Sequence, residues 1–217
     1  MGLWETRVVP HIVDRSCGIP QLDPLREQAC AGLRGQVVEI GFGSGSNIGR
    51  YPASVTEVVA VEPSDVAWRL SAARRAGSSV PVTRVGLDGA RLPLADASVD
   101  TALVTFSLCT IPDVASALAE LRRVLRPGGS IGFAEHGLSP DASVARWQHR
   151  LDGLQQRLFG GCHLTRDIPA LLESAGFTVE RLEQSYLPGP ALSRPWGYLS
   201  AGLGVPSSRY AGQRSHP

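Results

Sequence analysis

Short apolar runs alternate with helix-forming stretches between residues 36 and 134, and this alternation restricts the fold more than any other feature. The apolar, largely β-branched runs cover 36–40, 57–61, 80–85, 101–106 and 130–134. Helical patterns separate them, most clearly where Val114, Leu118, Leu121 and Leu125 recur at spacings of 4, 3 and 4. Strands that alternate with helices form βαβ units with right-handed crossovers. The sequence therefore predicts a doubly wound α/β protein with a mainly parallel sheet.

The remainder of the chain extends this unit. We expect a helix over 24–33 before the first strand, and helices over 142–159 and 167–174 after the last parallel strand. Residues 177–182 and 196–203 would form a final antiparallel pair. Residues 1–205 are thus predicted to be a single domain, and 206–217, which are mostly Ser, Gly, Arg and Pro, a mobile tail.

Composition excludes several classes of function. All 21 basic residues are Arg, so the P-loop lysine and Schiff-base lysines are ruled out. The formal net charge of +1 gives no sign of a nucleic-acid partner. No apolar run approaches the roughly 18 to 20 residues that span a bilayer, and the first residues do not resemble a signal peptide. We therefore expect a cytoplasmic protein without a transmembrane segment.

The four cysteines predict neither a disulfide framework nor a metal site. Cys17, Cys30, Cys109 and Cys162 lie 13, 79 and 53 residues apart, with no C-x-x-C pair and no cluster of histidines. Zinc sites usually show such short spacings. We expect no bound metal.

A glycine-rich turn follows the first predicted strand. Gly41, Gly43 and Gly45 occupy alternate positions, where glycine permits positive φ and close approach of a ligand to the backbone. In an open α/β sheet, this turn lies at the edge where ligands bind. The dinucleotide pattern G-x-G-x-x-G is absent, because Ser46 stands where its third glycine would be. This spacing argues against a nicotinamide-dependent oxidoreductase, the competing enzyme class.

Two carboxylates flank the turn. Glu39, near the end of the first strand, would repel a pyrophosphate but favour a cationic ammonium group. Glu62, at the end of the second strand, could accept both hydroxyls of a ribose. A ligand with a ribose diol, an amino-acid cation and no phosphate is S-adenosylmethionine.

Several motifs, in this order, resemble the class I methyltransferases over about residues 34–136. They are Glu39-Ile40-Gly41-Phe42-Gly43-Ser44-Gly45, Glu62, Leu87-Asp88-Gly89 and Val124-Leu125-Arg126-Pro127-Gly128-Gly129. The resemblance implies a Rossmann-like, seven-stranded sheet in the order 3-2-1-4-5-7-6, with the seventh strand antiparallel. It also implies S-adenosylmethionine as the cofactor. Asp88 and Gly89 would then lie at the adenine, and Ser107 and Leu108 at the methionine end.

Three further segments, 107–111, 135–136 and 161–166, resemble the methyltransferase-like family that includes alkyl-thiol methyltransferases of the endoplasmic reticulum. The resemblance implies a thiol or sulfide acceptor. Those relatives begin with a hydrophobic anchor; the first residues here show no such apolar run, so we do not expect membrane attachment to carry over from the resemblance. Residues 1–34 would form a helical lid, and 137–198 the acceptor side of the pocket. Both are rich in large apolar side chains, which favours a small lipophilic acceptor.

Methyl transfer from a sulfonium is an in-line displacement that needs no general acid, because the leaving thioether is neutral. A thiol, with a pKa near 8.5, needs little help, whereas a phenol benefits from a base and a protonated amine must first lose its proton. His136 and His163 are the candidate bases. The alternatives are O- or N-methylation of a phenol, quinone precursor or amino lipid, and a non-catalytic module that binds S-adenosylmethionine.

Overall fold

The computed structural model describes residues 4–86 and 88–207, and most of the predicted mobile tail lies outside them. The described residues include a seven-stranded sheet in the order β3-β2-β1-β4-β5-β7-β6. The strands are β1 (Gly35–Ile40), β2 (Val55–Val61), β3 (Val82–Gly86), β4 (Val99–Thr105), β5 (Leu125–His136), β6 (Phe177–Tyr186) and β7 (Tyr198–Pro206). The first five strands pair in parallel, and β7 pairs antiparallel with both β5 and β6. The predicted fold class and strand order are confirmed.

Helices cover the two faces of the sheet and its carboxyl edge. They are α1 (Val9–Cys17), α2 (Asp23–Cys30), α3 (Asp65–Leu70), α4 (Ala72–Ala76), α5 (Val114–Val124), α6 (Ala142–Leu158), α7 (Ile168–Ser174) and α8 (Arg194–Gly197). A π-helical turn, Trp4–Val8, precedes α1. None of the helices in the described part of the chain is both long and apolar enough to span a bilayer.

Strand β1 lies at the centre and shows how the sheet separates two cores. Val38 and Ile40 pack into the cluster that holds α5 and α7, whereas Val37 packs into the cluster on the opposite face with Cys30 of α2. This alternation follows from the two-residue period of a strand. It places Glu39 on the same face as Val37, where the carboxylate is fully buried.

Helix α2 packs very closely on the sheet, and Gly132 of β5 makes this approach possible. A Cβ at Gly132 would overlap the carbonyl oxygen of Ala29. The contact brings the N-terminal segment over the carboxyl edges of the central strands. The described residues before β1 therefore supply one wall of the space above the sheet.

Two of the connections between strands depart from a single regular helix. The helical sequence pattern over 64–76 forms two short helices that are divided at Ser71, whose buried hydroxyl donates to the carbonyl of Trp68 at 2.7 Å. No regular helix joins β1 to β2; residues 41–54 form a series of turns. Gly, Ser, Asn and Pro dominate that stretch, and these residue types favour turns over helix.

Candidate active site

A cavity of about 1600 Å³ lies at the carboxyl edge of the sheet. It runs from the ends of β2 and β3, across β1 and β4, to β5 and β7, and the N-terminal segment closes it from above. Ligand pockets usually measure about 300 to 1000 Å³. The cavity is therefore large enough for a nucleoside-sized ligand together with a second small molecule.

The glycine turn forms part of the cavity wall. Gly41, Gly43 and Gly45 all have positive φ, at 72°, 59° and 78°. Gly41 has no room for a side chain, because a Cβ there would overlap the hydroxyl of Ser107. Gly41 and Gly43 line the cavity, whereas Gly45 packs against Ile48 behind it. The turn thus presents bare backbone to a ligand.

Glu62 presents a carboxylate to the cavity in a fixed position. One oxygen accepts the backbone N–H of Gly43 at 2.6 Å, and the other accepts that of Ser64 at 2.7 Å. Burial raises the pKa of Glu62, while these two donors and the nearby Arg84 act in the opposite direction. Each oxygen keeps a lone pair for a further donor. Such a carboxylate can accept two adjacent hydroxyls.

Glu39 does not line the cavity, although the sequence suggested that it would meet a ligand's cation. Asn47 donates to one carboxylate oxygen at 2.8 Å, and the hydroxyl of Tyr51 donates to the other at 2.6 Å. Burial raises the pKa of Glu39 to about 7. Glu39 therefore anchors the loop after the glycine turn from below.

Arg26 completes this anchor, and sequence reasoning missed it. Its guanidinium donates to Asn47 at 2.8 Å, to Thr105 at 3.0 Å and to the carbonyl of Cys17 at 2.8 Å. A single buried Arg in a helix carries no signal of such a role in the sequence. In the structure it joins α1, the loop after the glycine turn and β4 at the wall of the cavity.

The other residues predicted to bind the cofactor also include some that line the cavity and one that does not. Asp88, Gly89 and Ser107 line the cavity, whereas Leu108 is fully buried beside it. Asp88 lies after β3, and its carboxylate accepts the backbone N–H of Ala90 at 2.9 Å. Its second oxygen is thus left for a donor on a ligand at the β3 end of the cavity.

The loop after β4 is held by Glu135, which the sequence marked only as part of segment 135–136 and to which it gave no role. The buried carboxylate accepts the backbone N–H groups of Ser107 at 2.7 Å, Leu108 at 2.9 Å and Cys109 at 3.3 Å. Phe106, immediately before them, has a φ of 52°, which is strained for a bulky side chain. Strain of this kind persists where the surroundings impose it, as they do at binding sites.

This geometry agrees with what known proteins show. A family model described as a methyltransferase domain matches residues 38–133. Thiol S-methyltransferase TMT1A from Homo sapiens is 32% identical over 168 residues, which cover 74% of this chain and 68% of that protein. The chain belongs to the class I S-adenosylmethionine-dependent methyltransferases.

Two further comparisons agree with this family. Thiol S-methyltransferase TMT1B from Rattus norvegicus is 32% identical over 151 residues, or 68% of this chain and 62% of that protein. The chain thus spans about two thirds of the length of these curated relatives. A solved SAM-dependent methyltransferase from Thermotoga maritima has a TM-score of 0.65 at 21% identity, covering 94% of this chain and 99% of that one. This likeness extends the shared fold beyond the matched domain.

The residues of this methyltransferase fit the family's cofactor, S-adenosylmethionine. Glu62 has two free lone pairs for the ribose diol, and Asp88 has a free oxygen for the adenine amino group. At Gly41, where a Cβ would fill the space beside Ser107, the backbone can approach the methionine part closely. The cavity therefore offers space and suitable acceptor atoms for a nucleoside between the ends of β1, β2 and β3.

The far end of the cavity carries two cysteines and a histidine. Cys109, His136 and Cys162 all line it, and their sulfur and nitrogen atoms lie within 4.8 Å of one another. The neighbouring Cys109 thiol and burial both raise the pKa of Cys162, which is therefore a neutral thiol. No spacing along the chain predicts this group, since its members come from the loop after β4, the end of β5 and the loop after α6.

The two candidate bases occupy different places. His136 lines the cavity, with its Nε2 atom 2.8 Å from the sulfur of Cys162. His163 does not line it; its Nδ1 atom lies 3.4 Å from a carboxylate oxygen of Asp152 in α6. The geometry thus offers His136, and not His163, to an acceptor.

Proposed function

We propose that this protein transfers the methyl group of S-adenosylmethionine to a small lipophilic acceptor, with a thiol or sulfide preferred, by direct in-line displacement. The observation that carries the proposal is the continuity of the cavity. One end bears the ribose-accepting Glu62 and the bare glycine turn, and the other end bears Cys109, His136 and Cys162 within an apolar wall.

The chain's own residues act mainly by holding the two reactants in place and take little part in the bond changes. Bound S-adenosylmethionine supplies an electrophilic methyl group on a sulfonium whose leaving group is a neutral thioether. Glu62 and Asp88 orient the nucleoside, and Glu135 fixes the loop of Ser107 and Cys109 beside the reacting end. Correct orientation of two reactants alone can lower a barrier by about 7 to 11 kcal/mol.

The acceptor end favours an apolar molecule. Its wall includes Phe159, Leu187, Trp196 and Leu199, and α1 adds Val9 and Val13. An acceptor that is only weakly hydrated in water loses little solvation free energy when it enters a pocket with such a wall. A thiol fits this description better than a charged amine. The thiol S-methyltransferases among the relatives support the same preference.

A panel of acceptors that differ in one atom tests the proposal. Benzenethiol, phenol and aniline share one ring, so a radiolabelled-methyl assay with each reports the reacting atom and not the fit of the ring. We expect the highest kcat/KM with benzenethiol. The Glu62→Ala variant should lose turnover with all three, and Glu57→Ala, on the same strand but outside the cavity, should keep it.

A second candidate is O-methylation of a phenol or a quinone precursor. The observation that favours it is His136, which lies in the cavity wall and could accept the phenolic proton. Faster turnover of phenol than of benzenethiol would establish this activity in place of the first. Binding of S-adenosylmethionine without transfer to any acceptor would instead identify a non-catalytic module.

A further inference from the structure

We propose that Cys109, His136 and Cys162 form a three-ligand site for a soft divalent cation such as Zn²⁺, whose open fourth position takes the acceptor sulfur. The cation site stands on the geometry alone; the role of the acceptor rests on the proposed function. The spacing of the cysteines along the chain predicted no metal, because these ligands meet only in the folded protein.

The distance between the two sulfurs is close to the one that such an ion requires, and all three ligand atoms lie within 4.8 Å of one another. A tetrahedral zinc ion bound at about 2.3 Å by sulfur and about 2.0 Å by nitrogen holds two sulfurs about 3.8 Å apart and each sulfur about 3.6 Å from the nitrogen. The sulfurs of Cys109 and Cys162 lie 3.6 Å apart. His136 Nε2 lies 2.8 Å from the sulfur of Cys162 and must move outward.

The ring of His136 is free to make this adjustment. Its Nδ1 atom is buried and has no hydrogen-bond partner among the described residues. No second hydrogen bond therefore fixes the ring plane in the metal-free geometry. The same atom is available to a water molecule, the kind of outer partner that histidine ligands commonly have.

The three ligand-bearing segments are held together by their backbones. The N–H of His163 donates to the carbonyl of Cys109 at 2.8 Å, which joins the loop of Cys162 to that of Cys109. The N–H of Cys109 in turn donates to the carboxylate of Glu135 at 3.3 Å, and Glu135 immediately precedes His136. The ligands are thus positioned before any ion binds.

The ligand set and its surroundings fit a catalytic site better than a structural one. Structural zinc sites have four protein ligands, whereas catalytic sites have three, including sets of two cysteines and one histidine, and an open position. Here all three residues line the cavity, so the fourth position faces the space left for the acceptor. The Arg166 guanidinium donates to the carbonyls of Leu108 and Ile111, so a positive charge lies beside the loop that carries Cys109.

The proposed step conserves protons and electrons. Cys109 and Cys162 each release a proton when the ion binds, and the acceptor thiol releases a third when its sulfur takes the open position. The acceptor sulfur then forms a bond to the methyl carbon while the bond from that carbon to the sulfonium breaks. The electron pair of the broken bond stays on the departing thioether. No oxidant or reductant is needed.

Metal binding is tested directly on the whole protein, kept reduced with tris(2-carboxyethyl)phosphine and freed of metal. Titration with Co²⁺ should give thiolate-to-cobalt absorption with one ion per chain, and Zn²⁺ should displace it. Loss of an outer partner alone lowers metal affinity by about 10- to 100-fold, so Cys109→Ser, Cys162→Ser and His136→Asn should each weaken binding by about tenfold or more.

The matched control is Cys30→Ala, since Cys30 is fully buried in the core on the face of β1 that carries Val37, away from the cavity. It should bind Co²⁺ as the wild type does. Absence of stoichiometric binding by the folded wild type would overturn the site. Cobalt absorption that persists in the Cys109→Ser and Cys162→Ser variants would do the same.

A separate measurement tests whether the acceptor sulfur binds to the metal ion. Benzenethiol should change the absorption of the cobalt-loaded protein, whereas phenol at the same concentration should not. Removal of the metal should lower kcat with benzenethiol and leave the affinity for S-adenosylhomocysteine unchanged. Equal thiol turnover by the metal-free protein would reject this role but keep the proposed function. A spectral change without any methylation would keep the site and reject the function.

Discussion

The carboxylate of Glu62 offers the sharpest test of the cofactor site. Its two oxygens accept the N–H groups of Gly43 and Ser64, and each has one lone pair left for a ribose hydroxyl. In Glu62→Ala these backbone donors lose their acceptor in the free and in the bound protein alike. The change in affinity for the ligand therefore reports mainly the lost bonds to the ribose.

The expected size follows from these two bonds. A hydrogen bond to a charged group contributes about 1.5 to 3 kcal/mol, and water that enters the space left by the side chain replaces part of it. We expect Glu62→Ala to weaken binding by about 1 to 3 kcal/mol, which corresponds to about 5- to 150-fold in Kd.

Isothermal calorimetry with S-adenosylhomocysteine and with its 2′-deoxy analogue measures this loss. Because the analogue lacks one of the two hydroxyls, the substitution should weaken its binding less than that of the intact ligand. Glu57→Ala makes the same chemical change on the same strand, outside the cavity, and should leave both affinities unchanged.

Two results would refute the reasoning. One is unchanged affinity in a folded Glu62→Ala variant. The other is an equal loss for both ligands, because that would show a distorted glycine turn and not missing contacts to the ribose.

Three further predictions concern the scaffold. Burial raises the pKa of Glu39 to about 7, so the native state holds a proton that the unfolded chain releases from about pH 4.5 upwards. The free energy of unfolding should therefore fall between about pH 4.5 and 7 by up to about 3 kcal/mol, and urea titrations of Glu39→Gln should show a smaller fall than the wild type. Identical pH profiles would contradict this. Gly41→Ala should weaken binding of S-adenosylhomocysteine by about tenfold or more, or about 1.4 kcal/mol, because the new Cβ would displace Ser107. The control is Gly49→Ala, at a residue that also has positive φ but has open space around it. This variant should only lower the melting temperature. Ala97 is exposed with a φ of 49°, so Ala97→Gly should raise the free energy of unfolding by about 0.5 to 1 kcal/mol, and a lower melting temperature would count against this account.

Local patterns were sufficient for much of the fold. The β-branched runs predicted β1, β2 and β4 to within two residues at each end, because buried parallel strands must be continuously apolar. The order of the seven strands came from the resemblance to a family, since pairing between distant segments leaves no local trace. The turns between β1 and β2 follow from residue types that favour turns.

The sequence by itself determined where β1, β2 and β4 end and which residues stand at those ends, because period and propensity are properties of neighbours. Only the tertiary structure decided which of them face the cavity. Glu39 is turned inward to Asn47 and Tyr51, while Glu62 lies in the wall. Cys109 and Cys162 are 53 residues apart in the chain, yet their sulfurs lie 3.6 Å apart. Such contacts depend on how distant loops meet across the sheet, and no spacing along the chain encodes them.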